Sequence, residues 1–168
     1  RKLSKKTSKL EESNQQLESL SKKLAKYLSP EVYNSLFTGE KEVNLETQRK
    51  KLTVFFSDIH GFTALTDTME AESLATLLNS YLKEMAEVAA RYGGTLDKFI
   101  GDAIMIFFGD PKSRGEKQDA LACVMMAIEM RERLKYLREK WINQGISEPL
   151  HIRIGINTGY CTVGNFGS

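Results

Sequence analysis

TLDKFIGDAIMIFF, residues 95–108, decides how the remainder of the sequence reads. Its two apolar stretches, 95–100 and 103–108, are separated only by Gly101-Asp102, which is hairpin spacing with a residue pair suited to a tight turn. Gly109-Asp110-Pro111 closes the second strand. Upstream, Gly93-Gly94 ends an amphipathic helix over 70–92 that gathers Leu74, Leu77, Leu78, Tyr81, Leu82, Met85 and Val88 on one face. A short helix over 63–68 precedes it. Before that, Leu52 to Phe56 is an apolar run of strand formers ending in Ser57-Asp58-Ile59-His60-Gly61, where the chain must turn. Downstream, residues 118–141 predict a second amphipathic helix, and residues 150–157 and 160–165 predict a strand, turn, strand unit around Thr158-Gly159.

The predicted order is strand, two helices, strand, strand, helix, strand and the start of another strand. Two strand-and-crossover units sharing one sheet, with helices on one face, give an α/β (α+β) fold of the ferredoxin-like βαββαβ arrangement. In front of it, Leu3, Leu10, Leu17 and Leu24 recur every seven residues, with Leu20 and Tyr27 at the complementary position, which predicts a parallel coiled coil over 1–28, a single amphipathic helix being the alternative. Ser29-Pro30 breaks that run, a short helix and polar linker fill 29–51, and the folded domain is expected over 52–168. The chain stops on a Gly-rich turn directly after a strand. Because a sheet edge just laid down is seldom left uncovered, a further C-terminal segment is expected to be missing.

Composition narrows the function. With 41% apolar and 27% charged residues, 168 residues suffice for one compact domain plus a helix. The net charge of +2 is too small to argue for nucleic acid as a partner. No stretch approaches the roughly 18 apolar residues of a membrane span, and no signal peptide precedes the domain, so direct membrane insertion is not expected. Cys123 and Cys161 have neither the number nor the spacing of a disulfide framework or zinc site, and they predict free thiols in a reducing, cytoplasmic compartment.

Two aspartates, Asp58 and Asp102, stand where an apolar strand gives way to a turn. If the first strand and the hairpin are neighbours, both carboxylates converge at one rim of the sheet, where, helped by the Ile59 carbonyl, they supply the hard oxygen ligands that Mg2+ prefers. A metal pair held there could activate a hydroxyl and neutralise leaving phosphates. The residues alone equally allow Asp58 to cap the following helix and Asp102 to serve the turn. Lys98, four residues before Asp102, shares its face by the two-residue period, and Asp97 points to the opposite one. Arg153 interrupts an apolar alternation, His-Ile-Arg-Ile-Gly-Ile, where a charge must be paired or exposed.

FFSDIHGFTAL (55–65), LDKFIGDAIMIFFG (96–109) and IRIGINTGYCTVGNFG (152–167), in this order, closely resemble the class III adenylyl and guanylyl cyclases from Leu52 to the end of the chain. The resemblance implies a homodimer with head-to-tail subunits and active sites at their interface, two divalent ions, Mg2+ or Mn2+, and conversion of ATP to 3',5'-cyclic AMP and pyrophosphate. It places Asp58, Asp102 and the Ile59 carbonyl on the metals. It also makes Ile59, His60, Gly61, Phe62 and Thr63 a turn whose amides hold phosphates, Lys98 the base-selecting lysine and Arg153 an arginine that reaches the triphosphate. A lysine donates to adenine N1, whereas the protonated N1 of guanine wants a carboxylate, so ATP is the expected substrate. The family's later transition-state residues map nowhere, and the fragment alone is expected to turn over little. An upstream sensor or receptor is expected in the parent. A guanylate cyclase and a noncatalytic dimerisation or nucleotide-sensing module are the alternatives. A palm-type enzyme making cyclic dinucleotides would share the fold, but its Gly-Gly-Asp/Glu-Glu/Asp-Phe hairpin is absent, this hairpin reading Ile-Gly-Asp-Ala.

Overall fold

The computed structural model describes residues 14–17, 47–146 and 150–164. The chain divides into two units, Arg1–Leu45 and Glu46–Ser168. Of the first, Asn14 to Leu17 are helical; the rest of the expected coiled coil, and the short helix and linker as far as residue 46, lie outside the described residues.

In the second unit the order is β1 (Gln48–Ile59), α1 (Phe62–Thr68), α2 (Ala71–Tyr92), β2 (Thr95–Ile100), β3 (Ala103–Phe108), α3 (Glu116–Asn143) and β4 (Ile152–Val163). The strands form one sheet in the order β2-β3-β1-β4, with every neighbouring pair antiparallel. This is the expected ferredoxin-like topology, with β1 and β3 central.

Two expectations about strands are corrected. Strand β1 begins at Gln48, not after Lys51, because β4 supplies a partner for each of its residues, from Gln48 opposite Val163 to Ile59 opposite Ile152. The polar start of β1 also gains side-chain contacts, since the Arg49 guanidinium and Lys51 ammonium lie 5.0 and 5.8 Å from the centre of the Tyr160 ring. For the same reason Thr158-Gly159 is no turn. It sits inside a single strand, with Gly159 opposite Leu52 and the Thr158 hydroxyl 2.8 Å from that of Thr53. An unbroken partner satisfies the backbone of these residues in the ladder, and a turn would forfeit those bonds.

Burial in β1 alternates: Phe55, Ser57 and Ile59 are buried, while Phe56 and Asp58 between them are not. The buried side packs against α2 and α3, where Tyr81, Met85 and Val88 of one helix and Met126, Met130 and Leu134 of the other meet Phe55, Ile104 and Ile106 of the sheet. An Arg133–Glu84 ion pair (2.6 Å) ties the helices to each other. The opposite side of the sheet carries exposed Phe56 and Ile100, and this open face matters for the site. Among the described residues, no helix is long and apolar enough to cross a membrane.

One feature of the core is costly. The hydroxyls of Tyr81 and Ser57 are buried without a partner in hydrogen-bond geometry among the described residues. Burial pushes the Tyr81 hydroxyl up to about 12, a rise that the nearby Ser57 hydroxyl offsets only in part. An unsatisfied buried hydroxyl costs roughly 1–3 kcal/mol, so Tyr81→Phe should leave stability unchanged or raise it by about 1 kcal/mol in urea denaturation. A clear loss of stability would mean that the hydroxyl has a partner, such as a buried water.

Candidate active site

Three elements deliver charge to one rim of the open face. Strand β1 ends in Asp58, which faces outward because Ser57 and Ile59 on either side point into the core. The β2–β3 hairpin brings Asp102 to the same rim. Its turn has positive φ at Gly101 (+62°) and not at Asp102, which is the pattern of a II' turn. Asp102 Oδ2 accepts a 2.8 Å hydrogen bond from the Ile59 amide. That bond joins the end of β1 to the hairpin and sets the Asp102 carboxylate on the amide of the residue that follows Asp58.

The third element is β4. Arg153 lies directly opposite Asp58 in the ladder, and its guanidinium donates from Nε to Oδ1 (2.8 Å) and from Nη2 to Oδ2 (2.6 Å). Such a fork is stronger and more directional than a single contact. It holds the Asp58 carboxyl below the usual carboxylate range, with the nearby His60 helping slightly, and raises the pKa of Arg153 in turn. The charge that interrupts the apolar alternation is thus paired, and its partner is a neighbouring strand's carboxylate at the rim of the site.

At the turn after β1, the His60 amide donates to the His151 carbonyl (2.7 Å), fastening the end of β1 to the start of β4, and its side chain is exposed. Gly61 adopts φ +73° as the residue before α1, and it caps no amide of that helix with a side chain. Phe62 packs against the core beneath the turn. Thr63 is exposed, and its carbonyl accepts from the Thr66 hydroxyl (2.6 Å).

Lys98 reaches the open face by a route that periodicity did not foresee. The β2–β3 register runs Leu96 opposite Ile106 and then Lys98 opposite Met105, so Asp97 is the extra residue of a β-bulge. In a regular strand Leu96 and Lys98 would share a face. Here Leu96 packs on the core beside buried Ile106, and Lys98 turns outward with half-exposed Met105. Asp97 does not point away from Lys98, as alternation predicts; its carboxylate lies 3.3 Å from the ammonium. The structure therefore brings Asp58, Ile59, Asp102 and Arg153 together through direct contacts, and it places Lys98 on the same side of the sheet with its ammonium on Asp97.

The model of the adenylate and guanylate cyclase catalytic domain family matches residues 43–168. The chain belongs to this family. Among solved structures, the cyclase domain is similar to the adenylyl cyclase CyaB from P. aeruginosa, with 64% identity, a TM-score of 0.72, and coverage of 74% of this chain and 63% of that one. It is similar also to the guanylyl cyclase Cya2, with 39% identity, a TM-score of 0.68, and coverage of 72% and 60%. A curated relative, the terminal-differentiation specific adenylate cyclase of Dictyostelium discoideum, is 37% identical over 71% of this chain. The cyclase domain spans only 5% of that relative's length.

The residues at the rim of the cyclase domain fit a hard divalent cation. Among the described residues no group of three or more His, Cys, Asp or Glu side chains converges, so the donor set does not suit zinc, which needs three or four such ligands. Two carboxylates with room for water and phosphate oxygens are what Mg2+ takes. Asp102 Oδ1 accepts no hydrogen bond among the described residues, whereas both oxygens of Asp58 are engaged by Arg153.

Proposed function

We propose that the cyclase domain converts ATP to 3',5'-cyclic AMP and pyrophosphate, and that Asp58, Asp102 and the Ile59 carbonyl hold two divalent ions, Mg2+ or Mn2+. Bound there, the ions lower the pKa of the ribose 3'-hydroxyl and neutralise charge on the phosphates. The 3'-hydroxyl gives its proton to solvent water, its oxygen bonds to the α-phosphorus, the bond from that phosphorus to the bridging oxygen breaks, and pyrophosphate departs with the electron pair. Arg153 donates to the phosphates. The amides of the turn from Ile59 to Thr63 that are not already hydrogen-bonded contribute further donors to them. The site is completed by a second copy, whose docking would cover the exposed Phe56 and Ile100 of the open face. In the full-length protein an upstream sensor, coupled through the N-terminal helix, would gate that assembly.

The observation that carries the choice of ATP is Lys98 on the face that bears Asp58 and Arg153. An ammonium donates to adenine N1 and has no acceptor to offer the N1–H of guanine. The 64% identity to a protein described as an adenylyl cyclase supports the same reading. The likeness to a guanylyl cyclase at 39% identity keeps GTP as the second reading.

The test uses the protein at its full natural length, incubated separately with ATP and GTP in Mn2+ and in Mg2+, with products identified by mass. Cyclic AMP should dominate, and Lys98→Glu should lower the ATP over GTP ratio of kcat/KM by about 10- to 100-fold, the size of one good base-edge contact. Preference for GTP by the unaltered protein would favour the guanylate reading. Absence of any cyclic nucleotide would favour a noncatalytic module.

A further inference from the structure

Arg153 has one guanidinium and two prospective partners. The fork described above takes both oxygens of Asp58. A cation coordinated by Asp58 needs at least one of them. Triphosphate oxygens, in turn, need the same guanidinium N–H groups that the carboxylate occupies. The side chain is well placed to change partners, since it is 66% exposed while Asp58 is 30% exposed, and cross-strand pairing keeps its backbone fixed on β4.

We infer that Asp58 is contested between Arg153 and a divalent cation, so that cation binding releases the guanidinium and turns it toward the triphosphate. This rests on the reading of Asp58 as a metal ligand and deepens it. One side chain then couples two binding events. Loading of the cation at Asp58 costs the protein its ion pair, and the freed guanidinium becomes a donor for anionic oxygens only after that loading. By linkage, whatever the released arginine gains from phosphate returns as tighter cation binding. Arg153 is a positioning residue in the first state and a phosphate ligand in the second. Asp102, with one oxygen on the Ile59 amide, meets no such competitor for the other among the described residues.

The experiment follows Mg2+ titration of the nucleotide-free, full-length protein by NMR at the Nε–H of Arg153, identified by its loss in Arg153→Lys. The signal should move saturably toward its position in Asp58→Asn, where the pair is already broken. Saturation by Mg2+ with the Arg153 signal unmoved would overturn the inference, because cation and arginine would then not compete. In parallel, Mn2+ affinity is read by electron paramagnetic resonance. Arg153→Ala and Arg153→Lys should each bind Mn2+ about two- to fivefold more tightly than the unaltered protein, the range set by a solvent-exposed ion pair. Tighter binding in Arg153→Ala with no change in Arg153→Lys would reduce the effect to charge repulsion and sink the competition. If Asp58→Asn binds Mn2+ as well as the unaltered protein does, the metal assignment of Asp58 fails, and the inference fails with it. No turnover is needed for any of these readouts.

Discussion

In the full-length protein, Asp102→Asn should lower cyclic nucleotide formation by about a hundred- to a thousandfold while leaving the fold intact. The substitution is close to isosteric, and the Asn side-chain carbonyl can still accept the bond that Asp102 Oδ2 takes from the Ile59 amide. The joint between β1 and the hairpin is therefore retained. What is lost is one full negative charge, at a point where the other carboxylate, Asp58, is already committed to Arg153. If Asp102 is the metal ligand proposed above, a rim left with a single anionic ligand holds a divalent ion poorly, and removing a group aimed at developing charge typically costs two to three orders of magnitude in rate. Both the kinetic constant with Mn2+-ATP and a thermal melt are needed. A melting temperature within a few degrees together with a collapse in turnover is the expected pair of results. Activity within tenfold of the unaltered protein would return Asp102 to the role of a turn residue.

Phe55→Ala should be the most damaging change to stability, costing about 3–5 kcal/mol. The ring has no solvent exposure and lies at the centre of the sheet, opposite Ile106 of β3 and Ile156 of β4. Neither neighbouring strand can close on the cavity without breaking the register that the other imposes. Domains of this size have roughly 5–15 kcal/mol to lose. Urea denaturation should therefore show a midpoint shifted far down at nearly constant slope, and a loss below about 1.5 kcal/mol would mean that β1 is less central than the pairing indicates. Asp58 follows three residues later on the same strand, so metal-dependent activity should fall at temperatures where the unaltered protein is still folded.

The pattern of apolar residues was sufficient for much of this architecture. Gly101-Asp102 between two apolar runs marks a hairpin wherever it occurs, because the glycine supplies the positive φ that the turn requires. The apolar face of 70–92 names the side of α2 that is buried, and Leu77, Tyr81, Met85 and Val88 are indeed core residues. Asp58 and Asp102 were visible as carboxylates at strand ends for the same local reason.

Other features depend on what lies across the sheet. Gln48 to Lys51 is polar and Thr158-Gly159 resembles a turn, yet both are strand, since one long ladder sets the first opposite Val163 to Tyr160 and the second opposite Thr53 and Leu52. The face of Asp97 could not be read from alternation, because a bulge shifts the count by one, and its placement follows from Leu96 and Phe99 being held opposite Ile106 and Ile104. The partner of Arg153 was equally hidden: a lone arginine in an apolar strand announces that it must be paired, but the pairing residue is fixed by the β1–β4 register and lies 95 positions away in the chain. By itself the sequence determined the local periods, the turns and the identity of the charges at the strand ends, all of which act over a few residues. Which strand each one faces, and hence that Asp58 is held by Arg153 and Lys98 by Asp97 on an open face, was decided only by tertiary structure, because register and bulges are settled between strands and not within them.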